Sequence, residues 1–305
     1  MPSPTDPIPI LLGTTASGKT AVALALALLL GGEVVSLDAR AVYRGMDVST
    51  AKPTPAERAR VPHHLLDVCE VEEAYNARRY RDDAARCVEG ILDRGKRPVF
   101  AGGSTLYLKA ITEGLFEGPG ADPDLRARLE ALPTEELARR LGEVDAEGAA
   151  RIDARNRVRL VRALEVFEQT GRPISQLQAE ARPLPYRFKK FGLRLDRAAL
   201  YARIDARVDR MVAEGLLDEV RRLAPRLKPG TPAAKTHGVQ ELIPYLEGRC
   251  SLEAALAKVK QHTRNYAKRQ LTWHRRDPGI VWLDAEAESP QALARRVVEG
   301  LKSAS

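Results

Sequence analysis

Cysteine is scarce in this chain. Cys69, Cys87 and Cys250 are the only three among 305 residues, far apart and with no Cys-x-x-Cys pair. That argues against a disulfide framework or a zinc site, and it predicts a reducing, cytoplasmic setting. Long apolar runs are missing too. Residues 21–30 are apolar throughout, but a membrane span needs about 18 such residues. The opening MPSPTDPIPI has no basic segment leading into an apolar one, so no secretory leader is expected. Internal repeats and low-complexity tracts are absent. What remains is a globular chain with 44% apolar residues, long enough for one large domain or two modest ones. His63 and His64 are adjacent, but no further ligand follows at useful spacing, so they read as structural.

Acidic residues are also in deficit, with 41 Asp and Glu against 49 Lys and Arg. A basic surplus suggests a polyanionic partner; an ordinary basic surface is the alternative. The apolar pattern predicts strands over residues 8–12, 33–38, 97–104, 191–195 and 280–284. Helices are expected over 19–30, from Thr105 onward, 197–223 and 252–276. Strands alternating with helices indicate an α/β fold with a parallel sheet, whose ligands bind at the carboxyl ends of the strands. Gly13, Asp38 and Gly102 stand at such ends. Residues 118–190 show helical periodicity, including an amphipathic stretch closed by Gly171 and Pro173, and read as a helical insertion.

The strongest local signal is GTTASGKT, running through Gly13, Thr14, Thr15, Ala16, Ser17, Gly18, Lys19 and Thr20. It matches G-x-x-x-x-G-K-[ST] and lies between a strand and a helix. Glycines let successive N–H groups turn inward on phosphate oxygens, and the helix N-terminus adds a positive dipole end. The lysine offsets phosphate charge, and the threonine hydroxyl can ligate Mg²⁺. Nucleotide-hydrolysing relatives of this loop also place an Asp after an apolar strand. Here PVFAGGS ends on Gly-Gly-Ser instead. Asp38 follows the second strand, where a carboxylate can bind metal, contact ribose, act as a general base or cap a helix. Nearby Arg44 and Lys52 read as phosphate ligands or as solvated surface.

From residue 258 to residue 276 there are seven basic side chains, including Arg264, Lys268 and Arg269, and no acid. This stretch reads as a helix that tracks phosphates, with a solvated cationic face as the alternative. Tyr266, Gln270 and Trp273 form a separate stripe at helical spacing.

In order along the chain, GTTASGKT, SLDARAVYRGMDVSTAKP, HHLLDV, AGGSTLYLKA, RVRLVRALEV with TGRPIS, RIDARVDRMVAEGLLDEV and TRNYAKRQLTWHRR resemble the tRNA dimethylallyltransferases. The resemblance runs from about residue 10 to residue 284. It implies a phosphate-loop NTPase-like catalytic core over residues 1–117 and 191–305, with a tRNA-contacting helical insertion over 118–190. It implies transfer of a dimethylallyl group from dimethylallyl diphosphate to N6 of the adenosine beside the tRNA anticodon, with Mg²⁺ as cofactor. The loop then holds the diphosphate of a prenyl donor, together with Arg207, and Thr20 ligates the metal. Asp38 becomes the catalytic base, with the Ser104 hydroxyl near the reacting centre. The anticodon stem-loop falls to Asp38, Ala39, Arg40, Ala41, Ser104, Arg126, Arg157, Arg159, Arg162, Lys235, Gly238, Arg264, Lys268 and Arg269. No membrane and no obligate protein partner are implied, and a monomer is expected. The chain departs from the family pattern at Thr14, Ala39, Ala41, residues 153–156 and residues 237–239, which leaves the base contacts open. The competing readings are an adenylate dimethylallyltransferase, a phosphate-loop small-molecule kinase and a non-catalytic RNA-binding module.

Overall fold

The structure, a computed structural model, describes residues 6–303. The first residues of the opening segment read above for a leader lie outside that range. Two compact units emerge: residues 6–111 with 185–303, and Thr112–Leu184.

The first unit is built on β1 (Ile8–Gly13), α1 (Lys19–Leu30), β2 (Gly32–Leu37), α2 (Pro55–Arg60), β3 (His63–His64), α3 (Ala77–Asp93), β4 (Arg97–Gly102) and α4 (Thr105–Thr112). The second unit holds α5 (Pro123–Glu130), α6 (Thr134–Val144), α7 (Ala146–Arg151), α8 (Arg157–Thr170) and α9 (Ile174–Ala179). The chain then re-enters the first unit through β5 (Phe188–Arg194), α10 (Arg197–Ala213), α11 (Leu216–Leu223), α12 (Val239–Leu246), α13 (Leu252–His274), β6 (Ile280–Asp284) and α14 (Pro290–Lys302).

All six strands are parallel, in the order β3-β2-β4-β1-β5-β6. β1 is buried along its whole length, as a central parallel strand covered on both faces must be. One face packs Val22, Leu26 and Ala27 of α1 against Leu293 and Val297 of α14. On α3 and α4, the Tyr80 and Tyr107 rings stack at 3.9 Å, and the Tyr80 hydroxyl donates to the Ser36 carbonyl at 3.0 Å. Register sets the site. Gly102 pairs with Leu12 on one side and with Leu37 on the other. The carboxyl ends of β1, β2 and β4 therefore stop at one level, with Gly13, Asp38 and Gly103 side by side.

The helical unit has its own apolar core, drawn from Leu125 and Leu129 of α5, Leu137 and Leu141 of α6, and Leu160 and Leu164 of α8. Glu165 lies at the centre of its polar framework, fully buried. It takes ion pairs from Arg126 at 2.8 Å and Arg162 at 2.6 Å and accepts from the Asp122 amide. Arg157 binds the Glu130 carbonyl and the Thr134 hydroxyl.

Several expected boundaries move. The compact helical unit covers 112–184, and β5 starts at Phe188, ahead of residue 191, because Phe188–Leu193 pair in register with Ile8–Gly13. The single helix expected over 197–223 is two. Gly215, at φ +94°, breaks it in the left-handed region that an L side chain resists. β3, α2, α3, α12 and α14 were not expected. β3 is two residues long, too short for a periodic signal.

That break at Gly215 aims α11 at the loop after Asp38. Glu219 is buried and accepts from the amides of Asp47, Val48 and Ser49 at 2.7, 2.7 and 2.9 Å. Glu219→Ala would strand those donors, each costing about 1–3 kcal/mol if left unpaired. A loss of about 3 kcal/mol is expected, read as a lower urea midpoint at unchanged slope. An unmoved midpoint would mean that water replaces the carboxylate.

Candidate active site

The sheet's carboxyl edge opens into a cavity of about 630 Å³ within the first unit. β1 delivers the phosphate loop, and Gly18 (φ +88°) starts α1 behind it. Ala16 is left-handed as well, at φ +61°, in a conformation a side chain adopts reluctantly. A methyl group on Gly13 would sit 2.6 Å from the Ser17 hydroxyl, so a side chain there would displace that hydroxyl.

One side chain holds the loop to the neighbouring strand. Gln270 of α13 is buried; its Oε1 accepts from the Thr15 amide at 3.0 Å and its Nε2 donates to the Gly103 carbonyl at 2.8 Å. A Cβ on Gly103 would fall 2.2 Å from that Nε2 and 2.9 Å from the Gly13 carbonyl. The Gly-Gly end of β4 is thus explained by crowding. A side chain at Gly103 would strike the clasp, which accounts for a strand end without a carboxylate. Gln270 was visible in the sequence as the one amide in an apolar-looking stripe. Its neighbours in that stripe, Tyr266 and Trp273, are half-buried, and Tyr266 lines the cavity.

The polar wall is cationic. Lys19, Arg40, Arg207, Lys235 and Arg269 line the cavity, and Asp38 is the only acid among the described lining residues. Lys19 donates to the Thr14 carbonyl at 2.5 Å. Burial, then the charge of Arg207, lowers its pKa to about 7 against the pull of Asp38. Burial also lowers the Arg207 pKa, opposed by Asp38, and among the described residues Arg207 has no ion-pair partner. The Ser17 hydroxyl is buried without a hydrogen-bond partner among the same residues. Asp38 is fixed through one oxygen: Oδ1 accepts from the amides of Arg40 at 2.8 Å and Ala41 at 3.3 Å. No described residue bonds its Oδ2.

Thr15, Thr20, Ala39 and Ala41 face the same cavity. Ser104 does not line it; its Oγ accepts from the Tyr107 amide at 3.4 Å, a cap at the start of α4. Lys52, read as a phosphate ligand or as surface, lines the cavity too but is already paired with acids. Its ammonium is buried against the Tyr43 carbonyl, Asp47 and Asp67. Arg44 pairs with Glu70. On α13, Arg264 pairs with Asp205 at 2.6 Å and Lys260 with Asp209 at 2.7 Å, while Lys268 and Arg269 are exposed. In the helical unit Arg126, Arg157 and Arg162 are engaged as described above, and Arg159 is exposed. His64 bonds Glu33 at 2.6 Å and His63 bonds the Val61 carbonyl, a structural pair.

Residues 41–277 match the IPP transferase family. The chain belongs to that family. A tRNA dimethylallyltransferase of Geobacter metallireducens is 47% identical over 282 residues, 90% of this chain and 91% of the relative. One from Roseiflexus castenholzii is 48% identical over 296 residues, 95% of each. Among solved structures, a tRNA isopentenylpyrophosphate transferase of Bacillus halodurans superposes with a TM-score of 0.73 at 35% identity, covering 98% of both chains. A eukaryotic dimethylallyltransferase acting on tRNA gives 0.79 at 26% identity over 92% of this chain and 74% of that one. In this member of the IPP transferase family no described helix is long and apolar enough to cross a membrane.

The uncompensated cations make anion binding proton-linked. An anion raises the Lys19 pKa, so affinity for pyrophosphate should be full below pH 7 and fall by up to about tenfold per pH unit above it. Calorimetric titration at several pH values checks this against Lys19→Arg, whose guanidinium does not titrate. Equal pH slopes in the two proteins would remove Lys19 from the phosphate site.

His274 adds a second pH effect. Its ring is wholly buried, and neither nitrogen has a partner among the described residues. Burial, then the Lys19 charge, pushes its pKa down to about 4, with Asp277 opposing. The unfolded chain gains a proton near pH 6.5 that the fold refuses, so stability should drop as pH falls from about 6.5 to 4, by at most about 1.4 kcal/mol per unit. His274→Phe should flatten that decline in urea titrations. A decline of unchanged steepness would assign it to other groups.

Proposed function

We propose that this protein transfers a dimethylallyl group from dimethylallyl diphosphate to N6 of the adenosine adjacent to the anticodon in tRNA, releasing diphosphate. The observation that carries the reading is a lone carboxylate, Asp38, beside a phosphate loop in a cavity whose other charged lining residues are Lys and Arg. A cavity of this kind has use for two ligands, one anionic and one with a proton to lose.

Lys19, Arg207 and the loop amides take the diphosphate, whose charge grows as the allylic C–O bond breaks. The apolar side chains of Ile204, Val208 and Met211, which also line the cavity, suit the isoprenoid. The exocyclic amine of the adenine forms the new C–N bond and gives its proton to Oδ2 of Asp38, the oxygen that no amide occupies. General-base help of this kind contributes roughly 10²–10⁴-fold. The Thr20 hydroxyl, exposed in the cavity beside Lys19, with Asp38 the one carboxylate there, would hold a Mg²⁺ ion bound together with the diphosphate. When bound, that ion supplies further neutralisation of the leaving group. Ser104 keeps its place at the cap of α4 and orders the backbone of the β4 edge.

A base inside a folded anticodon loop reaches such a cavity only when unstacked. Lys235, Arg269 and Lys268, together with Arg159 of the helical unit, are the cations we assign to tRNA phosphates. Arg264, Arg126, Arg157 and Arg162 hold the protein's own acids and carbonyls first. We place the enzyme in the cytoplasm as a monomer, where its three free cysteines stay reduced.

Incubation with unmodified tRNA, labelled dimethylallyl diphosphate and Mg²⁺, with AMP as a parallel acceptor, tests the reaction. Label should enter tRNA and not AMP. Asp38→Asn should cut turnover by roughly 10²–10⁴-fold while tRNA affinity changes by no more than a few fold. Prenylated AMP would shift the acceptor to a free nucleotide, and a collapse of tRNA binding would make Asp38 a recognition residue.

A further inference from the structure

The first turn of α12 brings together three side chains that prenyl transfer does not use. His237 precedes the helix, Glu241 stands one turn on, and His262 reaches across from α13. One ligand atom of each lies within 4.8 Å of the others. His262 Nδ1 is 2.7 Å and His237 Nδ1 3.4 Å from the same oxygen, Oε1 of Glu241. The two carboxylate oxygens are divided: Oε2 accepts from the Gly238 amide at 2.7 Å, and Oε1 faces the imidazoles and the Gln240 amide.

We infer that His237, Glu241 and His262 form a binding site for a divalent transition metal of the Zn²⁺ class. Two imidazoles and one carboxylate are a recurrent zinc ligand set, with the fourth position left to water. Around a tetrahedral ion, bonds of about 2.0–2.1 Å put neighbouring ligand atoms about 3.3 Å apart. The His237 to Glu241 spacing already meets that. The His262 contact needs to open by about 0.6 Å, and the two imidazole nitrogens, within 4.8 Å, need to close on each other, movements that the His262 side chain, 44% exposed, has room to make. Glu241 is held against such movement by burial and by the Gly238 amide, which leaves one rigid oxygen for the ion. The Gln240 amide, 2.8 Å from Oε1 and 2.9 Å from His237 Nδ1, now stands where the ion would bind, and its half-buried side chain has to swing aside to free the His237 nitrogen. Nitrogen donors favour Zn²⁺ or Co²⁺ over Mg²⁺, so this site is distinct in chemistry from the one at Thr20.

The position gives the ion a consequence. His237 lines the catalytic cavity, and its ring centre is 5.6 Å from that of Tyr266. An ion here pins the segment carrying Lys235 and His237 to α13, the helix whose Gln270 clasps the phosphate loop. The metal-free rival is a plain hydrogen-bond network in which His262 donates to Glu241 and Gln240 donates to both neighbours.

Titration of the full-length protein, stripped with chelator, with Co²⁺ separates the two. The expected result is one equivalent of Co²⁺ showing the visible absorption of a four- or five-coordinate ion, displaced by Zn²⁺ and unaffected by excess Mg²⁺. His262→Ala and His237→Ala should each weaken binding at least 10- to 100-fold, with circular dichroism confirming that both variants fold. Absence of the low-coordinate spectrum, or a spectrum that survives in His262→Ala, overturns the site and leaves the hydrogen-bond network.

Discussion

An unbalanced pair of half-buried cations governs this structure. Lys19 and Arg207 face one cavity, the charge of Arg207 lowering the Lys19 pKa, with Asp38 as the only lining carboxylate among the described residues. Two such groups repel each other in a poorly solvated space, and the fold tolerates them only because the rest of the site holds them in place. The tension is one an incoming anion relieves. The Lys19 ammonium bends back onto the Thr14 carbonyl of its own loop, and burial brings its pKa down to about 7.

Holding that tension requires a loop that cannot relax. Sheet register provides the first restraint, by ending β1, β2 and β4 at one level. Gln270 provides the second. Its single amide satisfies the Thr15 N–H and the Gly103 carbonyl together, and ties α13 to both strands. Because α10 carries Arg207 and packs Leu200 and Ile204 against Ala267 of α13, the arginine's position follows from the same helix that clasps the loop. Asp38 is oriented independently, by backbone amides two and three residues ahead of it. Displacing α13 would therefore disturb the phosphate half of the site and spare the carboxylate.

Local signals carried most of the sheet and the loop. Residues 19–30 and 280–284 form the helix and strand that their apolar pattern predicts, because each is bounded by its own stop signals, such as Gly31 in the left-handed region after α1. The phosphate loop and Asp38 were legible because their backbone chemistry is sequence-local. What escaped was set by distant partners. Gln270 and Gly103 meet across 167 positions, and nothing near either one announces the clasp. Glu219 looks like any helix acid until Gly215 turns its helix onto residues 47–49. Lys52 sits in a motif that suggests phosphate, yet two acids, Asp47 and Asp67, bury it.

Arginine shows why a charge count alone misleads. The chain carries a formal +8, and its basic stretches read as a nucleic-acid surface. Much of that charge turns inward. Glu165 binds Arg126 and Arg162, Asp205 binds Arg264, and Asp209 binds Lys260. A cation already paired in good geometry gives an RNA phosphate little, because the new contact must first break the old one. What remains to attract a polyanion is the unpaired remainder. On α13 and just beyond it, that remainder is Lys258, Lys268, Arg269, Arg275 and Arg276, exposed and with no ion pair among the described residues. The last four lie at the C-terminal end of the helix that Gln270 anchors to the phosphate loop. The exposed charge and the buried clasp thus share one rod, and a polyanion drawn to the first is drawn toward the second.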